Sequence, residues 1–241
     1  MDAFESNWKS LFKIGGISAW IFVFYSLATI IIFMLISELP ETATEAFNLL
    51  VKNKFAGLLR LDALTLITIP LYYPLYLSIF VGIKSDNISY ASLGALLAFA
   101  GITLFLATPS AFSLLPLSEK YAAASTPAQQ ERFLAAGEAL MASDMWHGSG
   151  AMIGGILMLV AALIGSVVML RSKNFSKATA YLGILTHGLD LVRVLISFFT
   201  PQIGNMIMMV AGPLYLIWFP LLARDFFRLA RASEKATRSQ A

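Results

Sequence analysis

The chain has 241 residues, of which 58% are hydrophobic, 13% are charged and none is cysteine, so disulfides, thiolate metal sites and cysteine nucleophiles are excluded. A soluble domain has about 45–50% apolar and about 25% charged residues, and much of this chain is therefore expected to face lipid. The net charge of +3 comes from basic residues near predicted helix ends and not from a continuous basic stripe, which argues against nucleic-acid binding.

Six stretches are long and apolar enough to cross a membrane, which takes about 20 residues at a rise of 1.5 Å each. Because lipid offers the backbone no hydrogen-bond partners, such stretches must be helical. The first stretch lacks the basic start and cleavage site of a signal peptide, so we expect a retained helix. The predicted spans cover residues 14–37, 63–83, 88–109, 151–170, 178–198 and 206–223.

The predicted fold is therefore all-α, a polytopic integral membrane protein with a six-transmembrane-helix bundle. It forms a single domain over residues 1–232, followed by a polar C-terminal tail at 233–241. Two long loops, at residues 38–62 and 117–147, are predicted to contain amphipathic helices on the outer side. In the second loop, Thr126 is expected to cap a helix that begins at Pro127.

The distribution of lysine and arginine predicts the orientation, because cytoplasmic loops carry an excess of both. One side collects eleven of them, mostly before the first span, after the fourth and after the sixth, whereas the other side has five among many acids. Both termini are therefore predicted to lie in the cytoplasm, with the chain in the cell membrane.

Several segments resemble a prokaryotic membrane family catalogued as domain of unknown function 4386. The segments are LATPSAFSLLPLSEKYAAAST with GEALMA, then VVMLRSKNFSKATAYLGIL, and LIWFPLLARDFFRL near the C-terminus. The resemblance covers most of the chain and rests on apolar helices with a few polar residues between them. It implies a polytopic membrane protein in a prokaryotic cytoplasmic membrane, and it transfers no functional residue.

The fifth predicted span contains His187, Asp190 and Arg193 at successive i, i+3 positions, so that all three share one helix face. A charged residue at the centre of a membrane helix costs about 2.5–3.5 kcal/mol and therefore faces a bundle interior or a water-filled cavity. One interpretation is a proton relay or polar pocket. The other is structural: Asp190 and Arg193 neutralise each other, and His187 bonds a neighbouring helix.

Tyr72 and Tyr76 cluster beside Pro70 and Pro74 in the second span. Proline removes a helical hydrogen bond, and broken helices often hold substrate in transporters. The two tyrosines could therefore line the same cavity as His187. Proline is also tolerated in membrane helices, so that a kink serving only packing is the alternative.

A second polar group lies at the outer helix ends. Asp62, Glu138, Asp144 and His147 are the residue types that ligate metals, which raises the possibility of a membrane-embedded metal-dependent enzyme. His147 is predicted near the membrane boundary and His187 near its centre, more than about 10 Å apart, so one ion could not bind both. The alternative is that these four residues are solvated charges at loop ends.

The sequence thus favours binding or passage of a small solute, ion or proton through an intramembrane polar cavity. The alternatives are an intramembrane enzyme acting on a lipid or lipid-soluble substrate and a structural or regulatory subunit. The expected partners are the lipid bilayer and a small-molecule or lipid ligand, with no nucleic acid. A homo-oligomer is not indicated, and the sequence identifies no cofactor.

Overall fold

The structure is a computed structural model that describes residues 8–35, 39–145 and 147–238, and within these residues all regular structure is helical, with no strand. Six of the helical segments are long and apolar enough to cross a membrane: Lys9–Ile32, Ala63–Ile83, Ile88–Ala122, Ser149–Met169, Lys177–Ser197 and Pro201–Ser233. The predicted all-α fold with six candidate membrane helices is confirmed.

The helices follow one another with short connections. In chain order they are α1 (Lys9–Leu35), α2 (Ala43–Lys52), α3 (Lys54–Leu61), α4 (Ala63–Thr68), α5 (Tyr72–Ile83), α6 (Ile88–Leu106), α7 (Ala111–Ala122), α8 (Pro127–Met141), α9 (Ser149–Met169), α10 (Lys177–Ser197) and α11 (Pro201–Arg238). A 3₁₀ turn, Ile69–Leu71, joins α4 to α5. The turn lies where Pro70 and Pro74 cannot donate the backbone hydrogen bonds of a regular α-helix.

The first long loop forms two helices and not one. Asn53 has an extended backbone, its side chain accepts a hydrogen bond from Ala56 N, and its own N–H bonds the last turn of α2. Because asparagine satisfies backbone groups on both sides, it ends one helix and begins the next. The aromatic residues on the two sides of the break differ in burial: Phe47 is buried, whereas Phe55 is 73% exposed.

The second long loop contains α8, which begins as the sequence predicts. The Thr126 side chain accepts from Gln129 N, and Pro127 is the first helical residue. The helices of the two loops pack with α7 around a core whose members are Ala43, Ala46, Phe47, Leu50, Leu61, Ala111, Leu114 and Met141. Both loops are therefore built as packed helices.

The last helix is longer than predicted. It runs without a break from Pro201 to Arg238 through Pro213 and Pro220, and so enters the stretch predicted as a polar tail. Aromatic and aliphatic residues such as Phe226, Leu229 and Ala230 continue beyond the predicted end of the span, which keeps one helix face packed.

The packing divides the chain into two compact units. Unit 1 consists of Met1–Phe24, Leu71–Ile102 and Ile156–Ala241, and unit 2 of Tyr25–Pro70 and Thr103–Gly155. Each unit gathers segments that are distant in sequence. The single domain over residues 1–232 stays a prediction, since a division by packing need not coincide with a domain boundary.

Candidate intramembrane polar site

The three ionisable residues of the fifth span lie in α10, within unit 1. His187 is 4% exposed, whereas the side chains of Asp190 and Arg193 are 14% and 29% exposed. The helix begins at a regular cap, because Ser176 accepts from Thr179 N, and it continues without interruption to Ser197. The polar face predicted for this span is thus carried by one continuous helix.

Asp190 is hydrogen-bonded through both carboxylate oxygens. Arg193 Nε donates to Oδ1 from one turn further along α10, and the Tyr215 hydroxyl donates to Oδ2 from α11 at 2.9 Å. Charge-assisted hydrogen bonds of this kind are about twice as strong as neutral ones. The expected Asp190–Arg193 pair therefore forms and is joined by a tyrosine from the neighbouring helix.

Among the described residues, the hydrogen bond of His187 is to its own helix and not to the neighbouring helix that the structural interpretation expected. Its Nδ1 lies 2.7 Å from the Gly183 carbonyl oxygen, four residues earlier. Because a carbonyl only accepts, Nδ1 must carry the proton, and in the neutral ring Nε2 is then the acceptor. The ring packs edge-on against Trp218, with centroids 4.4 Å apart, and against Tyr215 at 5.4 Å.

Three buried polar atoms on α9, α10 and α11 have no hydrogen-bond partner among the described residues. They are Ser166 Oγ on α9, Thr186 Oγ1 on α10 and Trp218 Nε1 on α11, and each of these residues is at most 1% exposed. Leaving a buried polar group unsatisfied costs about 1–3 kcal/mol, and most native structures have few such groups. Two of them, Ser166 Oγ and Trp218 Nε1, lie close together at Gly183, and the Trp218 ring also contacts His187.

Gly183 explains how the three helices come so close. The Ser166 hydroxyl and the Trp218 indole nitrogen both lie within 2.7 Å of the point where a Cβ would stand on this residue. Any side chain at position 183 would displace them. We name this cluster the intramembrane polar site; its members are Ser166, Gly183, Thr186, His187, Asp190, Arg193, Tyr215 and Trp218.

Tyr72 and Tyr76 lie in the same unit but contact other groups. The Tyr76 hydroxyl donates to the Met158 carbonyl at 2.8 Å, and Tyr72 stacks on Phe22 with centroids 4.0 Å apart. Phe219 joins Phe22 to Tyr215 through ring contacts of 5.1 and 5.7 Å. Tyr72 therefore reaches the polar site through stacked rings, whereas the Tyr76 hydroxyl is engaged by the backbone of α9.

The four residues of the predicted metal site lie in unit 2, where the acids bind backbone N–H groups. Asp62 accepts from Ala111 N through both oxygens at 3.0 and 2.9 Å, and Glu138 accepts from Ala43 N at 2.7 Å. Asp144 Oδ1 lies 3.0 Å from both the backbone N and the ring Nδ1 of His147. In the part of the chain that the structure describes, no three His, Asp or Glu side chains gather as a metal site.

Asp62 is the acid of this group with a clearly shifted pKa. Burial raises the pKa of Asp62 from 3.8 to about 6; the bond from Ala111 lowers it in part, and the nearby negative charge of Asp144 raises it. The first cause reflects the cost of removing a carboxylate from water. Asp62 is therefore a buried helix cap that titrates near neutral pH.

The comparisons with known proteins give no family and no relative. No family model matches the chain, and neither a curated protein nor a solved structure does. The resemblance of the quoted segments stays a prediction, and the argument for function rests on the site itself.

Proposed function

We propose that the chain binds or passes a small polar solute or a proton at the intramembrane polar site. The observation that carries this proposal is the pair of unpartnered buried atoms that meet at Gly183, Ser166 Oγ and Trp218 Nε1, beside the ring of His187. Thr186 Oγ1 is a third unpartnered buried atom on the same helix as His187. A ligand that hydrogen-bonds them would offset the cost of burying them, and the site would then be most stable when occupied.

The chemistry of these atoms favours an uncharged, hydrogen-bonding solute over a bare metal cation. The Trp218 indole can only donate, the hydroxyls of Ser166 and Thr186 can donate and accept, and His187 Nε2 is an acceptor. A cation would find no partner in the indole N–H. A molecule with an acceptor beside a donor, such as a small alcohol or amide, fits this set.

Asp190 adds an ionisable group to the same site. Its carboxylate accepts hydrogen bonds from Arg193 and Tyr215, and its charge holds the arginine in place. Arg193 is the most exposed of the three ionisable residues on this face, so it is the one placed to meet solvent or an anionic solute group. Ionisable residues inside membrane helices commonly serve such pathways.

The first test is native mass spectrometry with elemental analysis on protein in mild detergent. We expect a bound small molecule without stoichiometric metal, lost at least tenfold in Trp218→Phe, which removes the indole N–H but keeps an aromatic ring. Trp20→Phe is the control, because Trp20 is 42% exposed. Solute binding is refuted if Trp218→Phe binds the small molecule as tightly as wild type does. It is also refuted if neither form carries a bound molecule and Trp218→Phe has the higher melting temperature, because the site is then an empty packing defect.

The proton component is tested with Asp190→Asn in proteoliposomes that contain a pH-sensitive dye. We expect proton coupling to be abolished while the fold is retained. A variant with a lower melting temperature and unchanged coupling would instead favour a structural or regulatory subunit. One metal per chain, removed by His147→Ala, would favour the membrane enzyme.

The site of action that we propose is a prokaryotic cytoplasmic membrane, with both termini on the cytoplasmic side. The charge bias of the loops supports this orientation. Labelling engineered cysteines at Lys84 and Lys120 in intact cells would test it, because these residues are predicted on opposite sides and the chain has no other cysteine.

A further inference from the structure

The last helix is much longer than a bilayer is thick. Its 38 residues extend about 57 Å, whereas the hydrocarbon core is about 30 Å. Exposed apolar residues such as Met206, Met209 and Ile217 occupy its first half, and arginines begin at Arg224. Arg224 stands 23 residues after Pro201, about 35 Å along the helix, so we expect the arginines at the depth where lipid headgroups begin.

Three of these arginines lie on one face of α11. Arg224, Arg228 and Arg231 follow the i, i+4, i+7 spacing, all three are exposed, and together with Phe227 and Ala232 they line an open cavity of about 610 Å³. This volume lies within the range of about 300–1,000 Å³ that is usual for ligand sites. The lining combines concentrated positive charge with an apolar floor.

Asp225 orders this basic cavity without neutralising it. The residue is completely buried, and its Oδ2 accepts from Ser176 N at 2.9 Å and from the Thr179 hydroxyl at 2.6 Å. Its Oδ1 lies 3.4 Å from Nη2 of both Arg224 and Arg228. This single carboxylate pairs with two of the three guanidinium groups, so the cavity keeps a net charge of about +2.

Two further contacts hold the cavity in shape. Arg228 Nη2 also donates to the Asn174 carbonyl at 2.7 Å, which fixes one guanidinium against the connection before α10. The Phe227 ring packs against α1 at Gly16, where a Cβ would approach the ring to 2.9 Å. Groups already held in place lose less entropy when a ligand binds.

We propose that this cavity binds the phosphate of an anionic phospholipid from the surrounding bilayer. Guanidinium groups bind phosphate through paired hydrogen bonds, and basic pockets at membrane helix ends are suited to anionic headgroups. The half-buried Phe227 faces the same cavity and offers a surface for the glycerol and upper acyl chain. A site for a lipid phosphate must lie at the depth of the headgroups, where the arginines are expected, whereas a site for free phosphate could lie anywhere in contact with water.

The test is a lipid titration of delipidated protein, followed by native mass spectrometry. We expect phosphatidylglycerol to bind at least tenfold more tightly than phosphatidylcholine with the same acyl chains. Arg231→Gln should weaken phosphatidylglycerol binding about fivefold, the effect expected of one basic residue near a membrane surface, and leave phosphatidylcholine binding unchanged. Arg231→Lys should restore most of the loss. Arg231 is chosen because it has no contact with buried Asp225 among the described interactions.

Arg132→Gln is the matched control, since it removes the same charge from an exposed position on α8 in unit 2. It should bind both lipids as wild type does. Equal binding of the two lipids by wild type, or an equal loss in both arginine variants, would overturn the proposal. Displacement of phosphatidylglycerol by inorganic phosphate at concentrations similar to those of the lipid would also overturn it and indicate a site for soluble anions.

Discussion

The packing of the intramembrane polar site makes a specific prediction at Gly183. A Cβ at this position would stand within 2.7 Å of Trp218 Nε1 and nearer still to the Ser166 hydroxyl, whereas ordinary contacts begin at 3.4 Å. Gly188 lies on the same helix and provides the comparison, since the nearest atom to its Cβ would be Leu163 Cδ2 at 3.8 Å. The two glycines therefore differ in the room available for a side chain but not in secondary structure.

The expected magnitude follows from that difference. Adding a methyl group to a filled core costs about 1–3 kcal/mol, and exchanging glycine for alanine within a helix gains up to about 1 kcal/mol at either position. The gain cancels when the two variants are compared, so Gly183→Ala should be about 1–3 kcal/mol less stable than Gly188→Ala. For a chain of this size, the melting temperatures should differ by about 2–12 °C.

The measurement is thermal unfolding of both variants in the same detergent, with tryptophan fluorescence as the readout. Gly183→Ala should also lose the solute that wild type binds, because Ser166 and Trp218 must move apart. If Gly183→Ala melts at or above the temperature of Gly188→Ala, the close approach of the three helices is wrong, and the argument for the polar site fails with it.

Two further predictions concern buried carboxyl groups. The pKa of Asp62 is raised from 3.8 to about 6, so its carboxyl binds a proton more tightly in the folded protein than in the unfolded chain. The protonated carboxyl therefore contributes its full stabilisation below about pH 4, and this stabilisation is lost as the pH rises to 6. The loss lowers the free energy of unfolding by about 3 kcal/mol. Asp62→Asn should remove this part of the pH dependence, measured as the variant-minus-wild-type melting temperature between pH 4 and 7, and an unchanged difference would contradict the raised pKa. Asp225→Asn should destabilise the protein by about 1.5–3 kcal/mol, because Ser176 and Thr179 lose a charged acceptor. Its control is Asp86→Asn at an exposed position, which should change stability by less than about 0.5 kcal/mol, and equal melting of the two variants would contradict the role of Asp225.

The membrane helices could be predicted because hydropathy is a local property of the chain. The second span has the predicted bounds, Ala63–Ile83, and the fourth and fifth differ from prediction by one or two residues. The cap at Thr126 was equally accessible, since it depends on a polar residue directly before a proline. Features that one short window determines are thus visible in the sequence.

The details that depend on neighbouring helices were not accessible in this way. The i, i+3 spacing predicts that Asp190 lies beside Arg193. It does not indicate that Tyr215, 25 residues later and on the next helix, donates a second hydrogen bond to the Asp190 carboxylate. Tyr215 and Trp218 are three residues apart, which places both on one face of α11. Which face meets α10 is set by helix packing and not by hydropathy.

Asp225 illustrates the same limit from another side. In the sequence it stands between basic and aromatic residues near a helix end, where charges are usually solvated. The structure buries it completely against Ser176 and Thr179, 49 and 46 residues away. A carboxylate that caps a distant helix leaves no local pattern, because its partners are ordinary serine, threonine and backbone groups.

The division into two units also bears on the order in which the chain can acquire its structure during synthesis. Unit 2 is complete in sequence at Gly155, whereas unit 1 combines the N-terminal half of α1 with α10 and α11, which are made last. At 5–20 residues per second, translation from Gly155 to Arg238 takes about 4–17 s, a long time compared with helix formation. During that interval the N-terminal half of α1 has its contact with α5, where Phe22 stacks on Tyr72, but lacks its contact with α11, where Phe22 meets Phe219.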